Sequence, residues 1–388
     1  MSMGGHAGKA FWFSKKAGQF ITSKFYYETY PYWTAKWNAR RLPFAYAGKS
    51  WELLRDKASY RNAELDDMPY ETNLPGFGRV FPHPYGPADG KLFTTLLTTS
   101  PAGDELTVSF AKALIEGEKL GQDDVPDYLS VSLSSTDYVG HLFGPSSLES
   151  EDQILRLDRQ IADLLSFVDE RIGIDKTLIV LSADHGAADP PGYLERYGIP
   201  ATYINPKEWD TTPGLSRLKE RFGIGKELIK SYFHPYIYLD EEAIAKTGAS
   251  QADIEREVAN EVMKLPGVAL AVSSTALATG AYADMPLMRS ILKNFSPSRS
   301  GDVFVVFAPH SFINDFDGLT VAAHHGSPWN YDTYVPLIFA GNGLDGRRVA
   351  RRVETVDLAP TLAALLGTKP PSGSVGKPLT EVIDAMDD

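Results

Sequence analysis

The chain has 388 residues, 43% hydrophobic and 23% charged, with 38 basic against 50 acidic side chains and a formal net charge of -12. That composition supports a large buried core and excludes a disordered or collagenous chain, while the complete lack of cysteine rules out disulfides and thiolate metal sites. No run of about 18 apolar residues offers a membrane span and no signal peptide opens the chain; with no Lys/Arg cluster to offset the acidity, a nucleic-acid-binding surface is not expected, although bound dications could still draw in a phosphate.

The first hundred residues are rich in aromatics, among them Phe11, Trp12, Phe13, Phe25, Tyr26, Tyr27, Tyr30, Tyr32, Trp33 and Trp37. Packing is the commoner use of such a set, a base- or sugar-stacking platform the rarer. Pro69, Pro75, Pro82, Pro84 and Pro87 predict a loop over 64–90. Residues 95–120 read as a helix, with Val108, Ala111, Leu114 and Ile115 at helical spacing. Residues 128–133 read as a buried strand delivering Asp137 at its end. Residues 148–168 read as a helix with apolar positions every three or four residues, opened by a capping box of Ser146 and Glu149. The apolar string Thr177-Leu-Ile-Val-Leu181 is a second strand running into Asp184. Strand, loop, helix, strand and loop in this order predict a βαβ unit and a parallel sheet.

From 187 to 300 the pieces shorten. Strands at 236–239 and 268–272 and a helix at 251–265 predict a small α+β insertion over the site. Residues 301–307 are expected to resume the core sheet, 334–339 to add a strand and 357–366 to close with a helix. The predicted organisation is thus an α/β core over 1–186 and 301–388 and an insertion, or cap, over 187–300.

Two short strings carry the chemistry, Asp137-Tyr-Val-Gly-His141 and Ser-Ala-Asp184-His185-Gly186, joined by His325 in His-His-Gly-Ser-Pro-Trp. Carboxylate oxygen and imidazole nitrogen suit zinc and similar divalent ions. Asp137 and His141, four apart, can face one ion across a helical turn. Asp184 and His185 can both reach an ion where a strand ends and the backbone turns, a turn Gly186 would permit. Each has a plainer reading: a capping pair, a hydrogen-bonded turn, a satisfied buried imidazole. Taken jointly and after separate strands, the five favour metal binding. Asp332 reads either as a carboxylate behind a ligand imidazole or as a turn former. His83, His234 and His310 match no motif and read as structural or exposed. Ser327 lacks a Gly-x-Ser-x-Gly elbow, and Thr136, beside Asp137, lacks a strand-to-helix position.

These strings resemble the alkaline phosphatase superfamily, in the branch of single-chain bacterial alkaline phosphatases and type I phosphodiesterase/nucleotide pyrophosphatases. The matching stretches are Ser134-Ser-Thr-Asp-Tyr-Val-Gly-His-Leu-Phe-Gly-Pro145, Ser182-Ala-Asp-His-Gly186 and His325-Gly-Ser-Pro-Trp-Asn-Tyr-Asp-Thr-Tyr-Val-Pro336, in the family's order. The resemblance implies a three-layer αβα core with a mainly parallel sheet and two divalent ions, zinc by family habit. It implies that Asp137, His141 and His325 bind one ion and Asp184 and His185 the other; His325 precedes Gly as the family ligand does, which sets His324 aside. It also implies a phosphate ester as small-molecule substrate and a two-zinc in-line transfer through a Thr or Ser hydroxyl.

The family's nucleophile, an Asp ligand and a Lys-x-Arg pair precede a segment similar to Gly5-His-Ala-Gly-Lys-Ala-Phe-Trp-Phe13. The catalytic nucleophile is therefore unassigned, and the chain is expected to lack an N-terminal part and to expose an open sheet edge. Relatives with a leader are periplasmic or secreted; the chain as written is expected to be soluble and unexported. Three functional readings stand: an alkaline-phosphatase-type phosphomonoesterase, a phosphodiesterase or nucleotide pyrophosphatase, and a non-catalytic metal-binding remnant. Oligomeric state is not legible.

Overall fold

In the computed structural model residues 8–316, 318–341 and 343–387 are described, so the first three residues of the Gly5 string lie outside them. The chain divides into two compact units, Met1–Asp184 with Val335–Asp388, and His185–Tyr334. Helices and strands are mixed throughout, as an α/β class requires. Among the described residues no helix is long and apolar enough to cross a membrane.

The first unit is built on three helices, Pro101–Gly117, Ser135–Phe143 and Leu148–Arg171. Phe20, Trp37, Trp51, Phe77, Phe93, Leu97, Phe110, Val139 and Phe143 form its core. Part of the early aromatic set packs: Phe11, Phe13, Trp33 and Trp37 join this core, with Trp37 edge-on to Phe20 at 5.2 Å and Phe20 stacked on Phe110 at 4.0 Å, while Trp12, Phe25, Tyr30 and Tyr32 are exposed. The helix expected over 95–120 is two, Phe93–Thr98 and Pro101–Gly117. Ser100 between them is extended (φ -153°, ψ 170°), the conformation that a following proline imposes. The long helix is capped one residue later than expected. The Ser147 hydroxyl accepts the Ser150 N–H at 3.0 Å, while Glu149 is fully buried against His83, with Oε1 3.2 Å from Nε2.

Residues 128–133 form no strand, against expectation. An extended segment becomes a strand only by pairing with a neighbour, and among the described strands none pairs with it. Tyr128 is accordingly 55% exposed. The strand Leu178–Ser182 does form, and it pairs with Leu337–Gly341 in antiparallel register, Phe339 opposite Val180. The pairing here is therefore not the parallel one that the βαβ order predicts. The chain returns through Leu337–Gly341 from a separate unit, not through a crossover helix.

The second unit has a four-stranded antiparallel sheet in the order Ile229–Phe233, Tyr236–Leu239, Val303–Phe307, Val268–Ser273. Val303–Phe307, expected to resume the core sheet, is instead a central strand of this one. Its alternation explains why. Val303, Val305 and Phe307 enter one cluster with the helices Pro213–Phe222 and Gln251–Val262, and Phe304 and Val306 enter another with Pro286–Asn294. A strand apolar on both faces needs layers on both sides, which this unit supplies. The unit extends past residue 300 to Tyr334. The remaining parallel pairing is short, Ser311–Phe312 beside Thr202–Tyr203.

Candidate metal centre

In the first unit, Ser135–Phe143 carries Asp137 and His141 one turn apart, with Nε2 of His141 3.5 Å from Oδ1 of Asp137. The helix is held at its start by Asp104, 1% exposed, whose Oδ1 accepts the Ser135 N–H at 3.1 Å. Burial raises the Asp104 carboxyl to about 6, against the pull of its Ser135 and Gln153 hydrogen bonds. At the other end Gly144 (φ +96°) closes the helix with its N–H on the Gly140 carbonyl, 2.8 Å. His141 is buried and Asp137 half-buried. The Thr136 hydroxyl accepts the Gln153 side-chain amide at 3.4 Å. Asp184 follows the strand Leu178–Ser182, as expected.

In the second unit, His185 and His325 lie face to face, ring centroids 3.5 Å apart and planes at 12°. His324 is tilted against His325 at 5.2 Å. Its Nδ1 accepts the His325 N–H at 2.8 Å. The segment is fixed by Asp332. Its Oδ2 accepts the Ser327 N–H and its peptide oxygen the Gly186 N–H, both at 2.7 Å. Oδ1 of Asp332 is buried with no hydrogen-bond partner. Burial raises the Asp332 carboxyl and its Ser327 hydrogen bonds and His185 pull it back. Gly186 is explained by closeness, not by a turn: a Cβ there would lie 2.1 Å from the Tyr331 carbonyl oxygen.

His83, His234 and His310, which match no motif, each lie against aromatic or hydrogen-bonding neighbours. His83 is wholly buried and held down to about 4 by burial. His234 shares Nδ1 with the Tyr232 hydroxyl at 2.9 Å and Nε2 with the Gly326 carbonyl at 3.2 Å. His310 stacks on Tyr331 at 4.8 Å. Ser327 places its hydroxyl on the Trp329 N–H at 3.3 Å. Sequence reasoning missed Asp104 and Gln153, which brace the ligand-bearing helix. Neither sits in a motif, and only their complete burial betrays them.

Oxygen and nitrogen donors without sulfur, imidazoles paired at contact distance and an orphaned buried carboxylate oxygen fit one or more hard or borderline divalent ions. With a mixed α/β fold they define a metal-dependent hydrolase class. The comparisons make this specific. Residues 3–328 match the model of the type I phosphodiesterase / nucleotide pyrophosphatase family, and the chain belongs to that family, within the alkaline phosphatase superfamily. It is 33% identical over 382 residues to alkaline phosphatase PafA of Elizabethkingia meningoseptica, covering 96% of this chain and 67% of the relative. Against alkaline phosphatase PhoV of Synechococcus elongatus the identity is 34%, over 98% and 68%. The crystal structure of wild-type PafA superposes with a TM-score of 0.84 at 31% identity, covering 96% of this chain and 70% of that one.

Proposed function

We propose that the protein is a metal-dependent phosphomonoesterase of the alkaline phosphatase type, acting on a small phosphate ester with two divalent ions. That it is a phosphoric ester hydrolase follows from its family and from alkaline phosphatase relatives at about a third identity over nearly the whole chain. The ligand assignment is Asp137, His141 and His325 for one ion, Asp184 and His185 for the other, with zinc as the ion. The observation that carries it is the parallel approach of His185 and His325 at 3.5 Å. Two imidazoles with separate duties are expected that close when their ions stand about 3.5–4 Å apart.

Bound ions of this kind supply Lewis-acid stabilisation of the attacking and leaving oxygens in phosphoryl transfer. The chain's own residues do the holding. Asp137 and His141 are set by the helix that Asp104 anchors, and Asp332 fixes the backbone of Gly186 and Ser327 on either side of the paired imidazoles. Asp332 also leaves an acceptor, Oδ1, for a ligand imidazole N–H. The second reading, a phosphodiesterase, is favoured by the matched family model. Turnover of p-nitrophenyl phosphate against bis-p-nitrophenyl phosphate decides between them. A higher kcat/KM for the monoester, lost with chelator, is expected; preference for the diester would favour the second reading. No turnover above a His325→Ala control would leave only a non-catalytic metal-binding role.

A further inference from the structure

One charged group beside the ligand-bearing helix has no part in this reaction. The strands Trp12–Ser14 and Gln19–Ile21 form a hairpin whose turn carries Lys15 and Lys16. The Lys15 ammonium stands 4.4 Å from the centroid of the Tyr138 ring. Tyr138 directly follows Asp137, about 100° further round the helix.

The hairpin is rigid enough to hold that position. The Ser14 carbonyl accepts the N–H of Ala17 at 3.1 Å and of Gly18 at 2.8 Å, and Gly18 takes φ +62° to close the turn. Phe13 packs edge-on to Phe20 at 5.5 Å, and Phe20 is stacked on the helix Pro101–Gly117 through Phe110. A lysine over an aromatic face keeps its charge and loses part of its freedom. Its surroundings also matter. In a chain of net charge -12, Lys15 and Lys16 stand side by side at this turn, while Lys9 is already paired with Glu118. An anionic ester meets a net-negative molecule and two adjacent cations at the turn.

We propose that Lys15 is a specificity-determining residue: its ammonium, held over Tyr138, pairs with a second anionic group on the phosphate ester. Esters that carry a carboxylate or another phosphate are then preferred over those with a neutral leaving group. This rests on the reading of Asp137 as a metal ligand of a phosphomonoesterase. Lys15 touches the far end of the substrate and not the transferred phosphoryl group.

The test compares kcat/KM for phenyl phosphate and carboxyphenyl phosphate with the full chain loaded with zinc. Lys15→Gln is expected to lower the carboxyphenyl-to-phenyl ratio about two- to fivefold, the worth of a partly exposed ion pair. The effect should shrink at high salt, and Lys15→Arg should restore the ratio. An unchanged ratio in Lys15→Gln, with both esters turned over, overturns this proposal alone. Failure of the unsubstituted chain to turn over either ester overturns the hydrolase reading and this proposal together.

Discussion

Asp332 ties together the loop after His185 and the loop after His325. One carboxylate oxygen takes the Ser327 amide, the peptide oxygen takes the Gly186 amide, and the other carboxylate oxygen is buried without a partner. Leaving a buried acceptor unpaired is costly, so a donor brought to it on metal binding would stabilise the site. Asp332→Asn is predicted to weaken metal binding about 10- to 100-fold by competition titration, with a smaller effect on thermal stability. Gly186 gives a purely steric prediction. Gly186→Ala places a Cβ against the Tyr331 carbonyl and is expected to cost about 2–3 kcal/mol in a denaturant melt.

Glu71 and His83 are two of the buried groups that contribute to the first unit's response to pH, beside Glu149 and Asp104, which burial also raises. Glu71, 5% exposed, is pushed up from 4.5 to about 9, first by burial and then by Glu149. Between those values the folded state holds a proton that the unfolded chain has lost, so stability falls as pH rises through the window. His83 works from the other side. Burial lowers it from 6.5 to about 4, so the unfolded chain takes up the proton first and stability falls as pH drops through that range. Glu71→Gln reduces the upper slope and leaves the part that Glu149 contributes. Urea midpoints of this variant should vary less than those of the parent chain between about pH 5 and about pH 9, with the gain at the alkaline end. An equal decline in both chains would contradict the assignment.

The long helix was legible from its periodicity rather than its burial. Its apolar repeat runs from Ile154 to Val168 and Leu148–Arg171 forms accordingly, yet Ile154 is 51% exposed and the buried positions include Asp152, Gln153 and Gln160. Its cap was misplaced because Ser146 and Ser147 are both competent, and only Ser147 has its hydroxyl on the Ser150 amide. Ser147→Ala should cost about 1 kcal/mol, read from a thermal or urea melt, and Ser146→Ala close to nothing. Strands were harder. Val303–Phe307 is apolar on both faces, a pattern that any doubly covered sheet satisfies, so the string could not say which unit owned it. Residues 128–133 alternate apolar residues with serine, a strand-like pattern, and form no strand, since hydrogen-bond partners are not written in a strand's own residues. The ligand strings were legible for a different reason. Spacing of Asp137 and His141 on a helix, and of Asp184 after a strand, follows local geometry, and both local settings are present.

At the scale of the molecule, the chain is a member of the type I phosphodiesterase / nucleotide pyrophosphatase family with two units, each carrying part of the proposed ligand set. Asp137, His141 and Asp184 belong to the first and His185 and His325 to the second. Metal binding is predicted to couple to folding, since ions bound only by the native chain stabilise it by mass action. Adding zinc should raise the melting temperature, and a chelator should reverse the rise.

The most direct test of the central claim is the zinc content of the dialysed protein, measured by plasma emission spectrometry beside Asp137→Ala and Asp184→Ala. The predicted result is two ions per chain in the parent and about one in each variant. An unchanged content in both variants, or no retained ion in the parent, would contradict the assignment of these side chains to a two-metal centre.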